Sequence, residues 1–150
     1  MAFRWRAKGL LTKIGSVYGT DAVPTGAANA MLPVDVNIQP LDAREITRGI
    51  ELPYLGNNGK ILVEQKVRMN FKTELAGGKT PLGTPPAWGV LARSSGMAEV
   101  VTASTKVEYN PITNGHEWCD SYFYLANTLH KALGGRGSAK ISLPANDLPT

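Results

Sequence analysis

A single cysteine, Cys119, stands among 150 residues, so no disulfide can form within the chain and a secreted, cross-linked scaffold is excluded. No run of about 18 apolar residues is present to cross a bilayer as a helix. The N-terminus carries Arg4, Arg6 and Lys8 but lacks the uninterrupted apolar stretch of a signal peptide. These features predict a soluble protein made in the cytosol, with no membrane partner.

Catalytic constellations are missing as well. His116 and His130 have no cysteine or second histidine at metal-ligand spacing, so neither a metal nor another cofactor is expected. Cys119 alternates with apolar residues and reads as a small core hydrophobe, because a nucleophilic thiol needs an accessible, electropositive setting. Ser94, Ser95 and Gly96 lack the G-x-S-x-G frame of a nucleophile elbow. The Gly78, Lys79, Thr80 triplet fails as a phosphate-binding loop, since the position five residues before Gly78 holds Thr73 inside a strand pattern. An enzyme is the class least favoured. A net charge of +4 and a pI near 9.3 permit weak attraction to polyanions, yet no aromatic side chains interleave with the basic ones to form a stacking platform.

The chain does contain an outsized amphipathic strand. Between Ile61 and Leu75, Val63, Gln65, Val67, Met69, Phe71, Thr73 and Leu75 fall on one face, and Glu64, Lys66, Arg68, Asn70, Lys72 and Glu74 on the other. At ~3.3 Å per residue the run spans roughly 50 Å, where an ordinary strand has about 5–6 residues. Such length fits a ring, barrel or tube.

Sixteen glycines, ten prolines and short β-branched runs predict a mainly β chain with many turns and one core. Residues 1–32 form an extended N-terminal arm, because Gly15 to Met31 is rich in Gly, Ala, Thr and Pro and has little periodicity. Residues 33–150 form the β domain. Within it, Val34 to Gln39 is a strand that Pro40 ends or confines to an edge, and a weaker strand covers Arg44 to Leu52. Gly56 to Gly59 then turns the chain into the long strand. Ala76 to Trp88 reads as an ordered projecting loop, and a helix is expected from Pro85 to Ser95, capped by Thr84 and closed by Gly96. Glu117 to Leu125 is bulky on both faces, as in a strand packed on both sides or at a subunit contact. Further strands are expected at Lys106 to Tyr109, Leu129 to Leu133 and Ser138 to Leu143.

Tyr18 to Met31 (YGTDAVPTGAANAM), Leu52 to Gly56 (LPYLG), Phe71 to Leu75 leading into AGG, the Pro86-Ala87-Trp88-Gly89 start and Leu129-His130-Lys131 followed by Gly135-Arg136-Gly137 together, in order, resemble the tail tube (major tail) proteins of long-tailed bacteriophages and prophages. The resemblance covers nearly the whole chain, although no single motif in it is specific. It implies a β-sandwich or barrel-like tail-tube fold with one short flanking helix and long extended loops. It also implies a non-enzymatic virion protein, assembled in the host cytoplasm, whose rings of six subunits stack into a tube that conducts DNA during ejection. The implied partners are further copies of the chain, other tail proteins including the tape measure protein, and DNA in transit without sequence-specific binding. Members of the family continue past the position of Leu148 and Pro149 with another strand, whereas Thr150 follows here.

Under this reading the candidates for a lumen-facing surface are Glu64, Lys66, Arg68, Asn70, Lys72 and Glu74. Those for ring-to-ring contact are Arg4, Arg6, Lys8, Tyr18, Gly77, Gly78, Lys79, Thr80 and Pro81. Trp118, Tyr122 and Tyr124 are candidate subunit-contact aromatics. Two alternatives stay open: another tail component of the same fold, such as a terminator or baseplate ring, or a monomeric β-sandwich module binding nucleic acid or sugar, with Trp118, Tyr122 and Tyr124 as exposed stackers.

Overall fold

The computed structural model describes residues 7–51, 53–56, 58–78, 81–145 and 149–150. The protein is mainly β, with 47% of the described residues in strands and 7% in two short helices. The strands are β1 (Lys8–Ile14), β2 (Ala30–Met31), β3 (Pro33–Thr47), β4 (Lys60–Thr73), β5 (Met97–Thr102), β6 (Lys106–Pro111), β7 (Cys119–Leu125) and β8 (Thr128–Gly135). The helices are α1 (Gly26–Asn29) and α2 (Gly89–Ser94). The chain divides into two compact units: Asp35–Phe71, and the remainder, Met1–Val34 with Lys72–Thr150. That division differs from the expected boundary at residue 32, because the N-terminal segment supplies strands to the larger unit.

The larger unit is built on a four-stranded sheet in the order β2-β1-β7-β8. β1 runs antiparallel to β7 over its full length, from Lys8 opposite Leu125 to Ile14 opposite Cys119. β7 pairs antiparallel with β8 around the Ala126 turn, with a bulge between Cys119 and Ser121. Cys119, Asp120, Ser121, Tyr122 and Phe123 are all buried, so both faces of β7 are covered, as its bulky sequence predicts. With Leu10 at 0% and Phe123 at 2% exposure, the core centres on the β1–β7 pair. Complete burial of two such side chains contributes about 1.5–3 kcal/mol each.

The β5–β6 hairpin forms a second sheet in this unit, and α2 packs against β5, β1 and β7. The helix is shorter than the expected Pro85 to Ser95. A residue preceding a proline is pushed out of the helical region, so with Pro86 after it Pro85 does not open the helix. Trp88 is the N-cap, and the Thr84 hydroxyl instead donates to the Pro81 carbonyl at 2.7 Å. The expected stop is present: Gly96, at φ +90°, donates its N–H to the Arg93 carbonyl at 3.2 Å. Arg93, in the last turn, makes a two-pronged ion pair with Glu117 at 2.6 and 2.7 Å. Nearby, the Tyr109 hydroxyl donates to Glu99 at 2.7 Å and its ring meets Trp88 at 5.2 Å. Gly89 lies so close that a Cβ there would sit 2.1 Å from the Tyr109 oxygen. Trp88 is therefore held inside the unit, its indole N–H donating to the Ala76 carbonyl at 2.8 Å.

The segment Gly15 to Met31 is not a free arm. Asp120, 1% exposed, accepts the Ala22 N–H at 2.8 Å and the Gly134 N–H at 2.7 Å, so one buried carboxylate ties this segment and β8 to β7. Lys13 donates to the Ala22 carbonyl at 2.8 Å. The segment carries α1 and β2 and ends where Met31 pairs with Leu10. Ser138 to Leu143, expected as a strand, is irregular, although Ser142 and Thr150 exchange backbone hydrogen bonds at 2.7 and 3.1 Å.

The smaller unit is the long ribbon. β3 and β4 form a sheet of their own, with no third strand among the described residues. The two strands expected on either side of Pro40 are one strand of 15 residues that passes through it. In a two-stranded ribbon each strand is an edge, so a residue without an N–H costs no ladder bond if it faces outward. The partner, β4, has 14 residues and begins and ends slightly before the expected limits.

Candidate functional site

The ribbon holds five of the six residues proposed to face a lumen, Glu64, Lys66, Arg68, Asn70 and Lys72, and is sparsely covered by its own chain. No residue of β3 or β4 is fully buried. On β4 the expected alternation persists as graded exposure: Glu64, Lys66, Arg68, Asn70 and Lys72 are exposed, while Val63, Met69, Phe71 and Thr73 are half-covered. Glu74 is exposed just beyond the strand. The apolar face of β4 is not dry, since Val67 is 43% exposed. Leu41, 54% exposed, Ile46, Ile61 and Leu62 are further uncovered apolar residues of the ribbon.

Glu64 adopts φ +53°, a left-handed conformation in mid-strand, and Asp35 does the same where the unit begins. Residues other than glycine seldom adopt this conformation, and alternation in the sequence does not reveal it.

Charge is sorted between the two strands. β3 carries Asp35, Asp42 and Glu45 against Arg44, whereas β4 carries Lys60, Lys66, Arg68 and Lys72 against Glu64. Ion pairs bridge them: Lys60 to Glu45 at 2.7 Å, Arg68 to Asp42 at 2.9 Å and Lys66 to the same Asp42 oxygen at 3.9 Å. Lys60 holds the Glu45 carboxyl below its ordinary range, first through their hydrogen bond and then through charge attraction, and the Lys60 ammonium is raised in return. These pairs are largely exposed, so they set register and orientation more than stability.

The other candidates are dispersed. Trp118 is half-buried, with Tyr18 edge-on at 5.3 Å and the Arg136 guanidinium 5.9 Å from its ring centre. Tyr122 is buried and donates its hydroxyl to Asp21, and only Tyr124 is exposed among the three aromatics. Lys8 lies in β1, Tyr18 is exposed, and Gly77, Gly78 and Pro81 are exposed in the loop after β4. Arg4, Arg6, Lys79 and Thr80 lie outside the described residues. His116 and His130 do not come together: the His116 ring is 3.0 Å from the Thr113 carbonyl, and His130 lies against Phe123.

One cluster had no signal in the sequence. Asp21 accepts from Tyr122 and, at 2.9 Å, from Lys131, whose ammonium also lies 4.6 Å from the Tyr122 ring centre. The Tyr122 hydrogen bond, followed by that from Lys131, lowers the Asp21 carboxyl to about 2; the Asp21 hydrogen bond raises the Tyr122 hydroxyl against an opposing effect of Lys131, and Tyr122 followed by Asp21 raises the Lys131 ammonium. Asp21 also accepts the N–H of Val23 at 2.9 Å, supporting a β-branched residue at φ +48°. The partners are 101 and 110 residues away in sequence, so no local pattern announces them.

Among the described residues no helix is long and apolar enough to cross a membrane. No protein-family model, curated protein or solved structure matches the chain.

Proposed function

We propose that the chain is a structural subunit of a bacteriophage tail tube, forming stacked, six-membered rings whose bore conducts DNA, with the β3–β4 ribbon as its wall. The observation that carries this reading is the ribbon itself: strands of 15 and 14 residues, no third strand beside them among the described residues, and apolar residues uncovered along both. A two-stranded ribbon alone is at best marginally stable in water, and exposed edges invite pairing with further strands. Closing many ribbons into a barrel satisfies the edges and covers one face, leaving the other to water. In this proposal Glu64, Lys66, Arg68, Asn70 and Lys72 face the bore, where mixed charge lets DNA slide without being held.

The ordered resemblance to tail tube proteins supports the same reading, as does the absence from the sequence of a catalytic frame. A terminator or baseplate ring would use the same ribbon in a single copy of the ring. The monomeric binding module has less support, because Tyr122 is committed to Asp21 and Trp118 to Tyr18 and Arg136. Negative-stain electron microscopy over a range of protein concentrations tests the proposal. Rings that stack into tubes are expected; rings that never stack would favour a terminator, and monomers throughout would contradict the assembly.

A further inference from the structure

We infer that neighbouring copies meet through a polar, one-way seam in which the positively charged strand β4 of one copy lies beside the negatively charged strand β3 of the next. This deepens the proposed ring and rests on it. The partner is a second copy of this chain, and the reason is the sorting of charge. β3 has three carboxylates and one cation, β4 four cations and one carboxylate. Among the described residues each strand is an edge of its sheet, with no strand paired along its other side.

Three pairings of two ribbons are available. Placing β4 beside β4 sets four cations against four, and placing β3 beside β3 sets three carboxylates against three. Like charges opposite one another on adjacent strands are destabilising. Only β4 beside β3 brings opposite signs together, and the ribbon already uses that combination within one chain at Lys60–Glu45 and Arg68–Asp42. The seam between copies repeats the seam within them. None of these side chains has to be unpaired beforehand, since a carboxylate can serve two cations, as Asp42 does for Lys66 and Arg68.

The consequence is directional. A β4-to-β3 contact uses a different surface on each partner, so it leaves a free β3 at one end and a free β4 at the other until a ring closes. A β4-to-β4 contact would stop at a two-fold dimer. Charge sorting therefore rejects the dead-end dimer and makes ring formation sensitive to salt, because exposed charges are screened within about 3 Å at 1 M ionic strength.

A charge-swapped chain tests this: Asp35, Asp42 and Glu45 replaced by Lys, and Lys60, Lys66 and Arg68 by Glu. The swap keeps opposite signs across the hairpin and across a β4-to-β3 seam between identical copies. When differently labelled wild-type and swapped chains are mixed, each is expected to assemble with its own kind, with mixed rings several-fold depleted relative to random mixing. Preferential mixed pairs would mean like-strand contact, and random mixing would mean a seam indifferent to charge; either overturns the inference while leaving rings in place. Monomers alone in both chains would overturn the ring reading with it.

Carbodiimide cross-linking of ¹⁴N- and ¹⁵N-labelled wild-type chains keeps the test decisive if the swapped chain does not fold. Mixed-isotope links should join Lys60, Lys66 or Lys72 to Asp35, Asp42 or Glu45, and should fall several-fold when assembly is carried out in 1 M salt. Rings whose mixed-isotope links lie only outside the ribbon would contradict the seam.

Discussion

Strands β7 and β4 are both rich in bulky side chains, yet they end in opposite circumstances. β7 has seven residues and buries five in succession; β4 has fourteen and fully buries none. The difference lies in what the chain places around each strand. β7 has β1 on one side, β8 on the other, and α2 packed against it, whereas among the described residues β4 pairs only with β3. A strand that is covered by its own chain stabilises the subunit, while one that is long, amphipathic and uncovered is available to another copy. In the proposed ring, bulky side chains would thus serve stability in one region and assembly in the other.

Removing bulk should separate the two regions most clearly. Phe123→Ala should lower the stability of the free subunit by about 3–5 kcal/mol, read as the denaturation midpoint. Val67→Ala on the ribbon should stay within about 0.5 kcal/mol while weakening ring formation. Equal losses in subunit stability would break the comparison.

A smaller effect is expected at the contact between α2 and the β5–β6 hairpin. Gly89→Ala drives a methyl into the Tyr109 hydroxyl and should cost about 1–3 kcal/mol; adding Tyr109→Phe should restore part of the loss. No recovery in thermal melts would mean that the crowding lies elsewhere. Arg93→Ala removes both hydrogen bonds to Glu117 and should cost about 1–2 kcal/mol, since each side chain is roughly a third exposed and solvent screens the pair.

The smallest effect is that of Asp21 and depends on pH. Its carboxyl is lowered in the folded chain to about 2 from an ordinary value near 4. The stabilisation is therefore complete above about pH 4 and is lost as the pH falls toward 2. Denaturation midpoints should drop through that window in the wild type and drop less steeply in Asp21→Asn. Parallel curves would show that the Tyr122–Asp21–Lys131 contacts do not contribute.

The comparison also explains which parts of the fold were legible. β7 could be read because burial on both faces requires bulky residues at every position, and Gly96 because a helix stop needs a residue that tolerates positive φ. The long strand was legible in its period, but its lack of cover was not, since alternation predicts a face suited to burial without naming what buries it. Of the two readings that Pro40 allows, a strand end or an edge strand, β3 takes the edge: it runs through Pro40 and, among the described residues, pairs only with β4. Gly15 to Met31 looked like a free arm because its anchors, Asp120, Tyr122 and Lys131, are distant in sequence. Of the candidate site, the charged residues of β4 could be named individually, while their opposition to β3 emerged only when Lys60 met Glu45 and Arg68 met Asp42.

Hydrogen exchange of the backbone amides, compared between dilute and assembled protein, tests the central claim most directly. Fast exchange is expected across Asp35–Phe71 in dilute subunit, with strong protection of the same amides after assembly and protection of β7 that is high in both. A ribbon as protected as β7 in the monomer, or one whose exchange does not change on assembly, would contradict it.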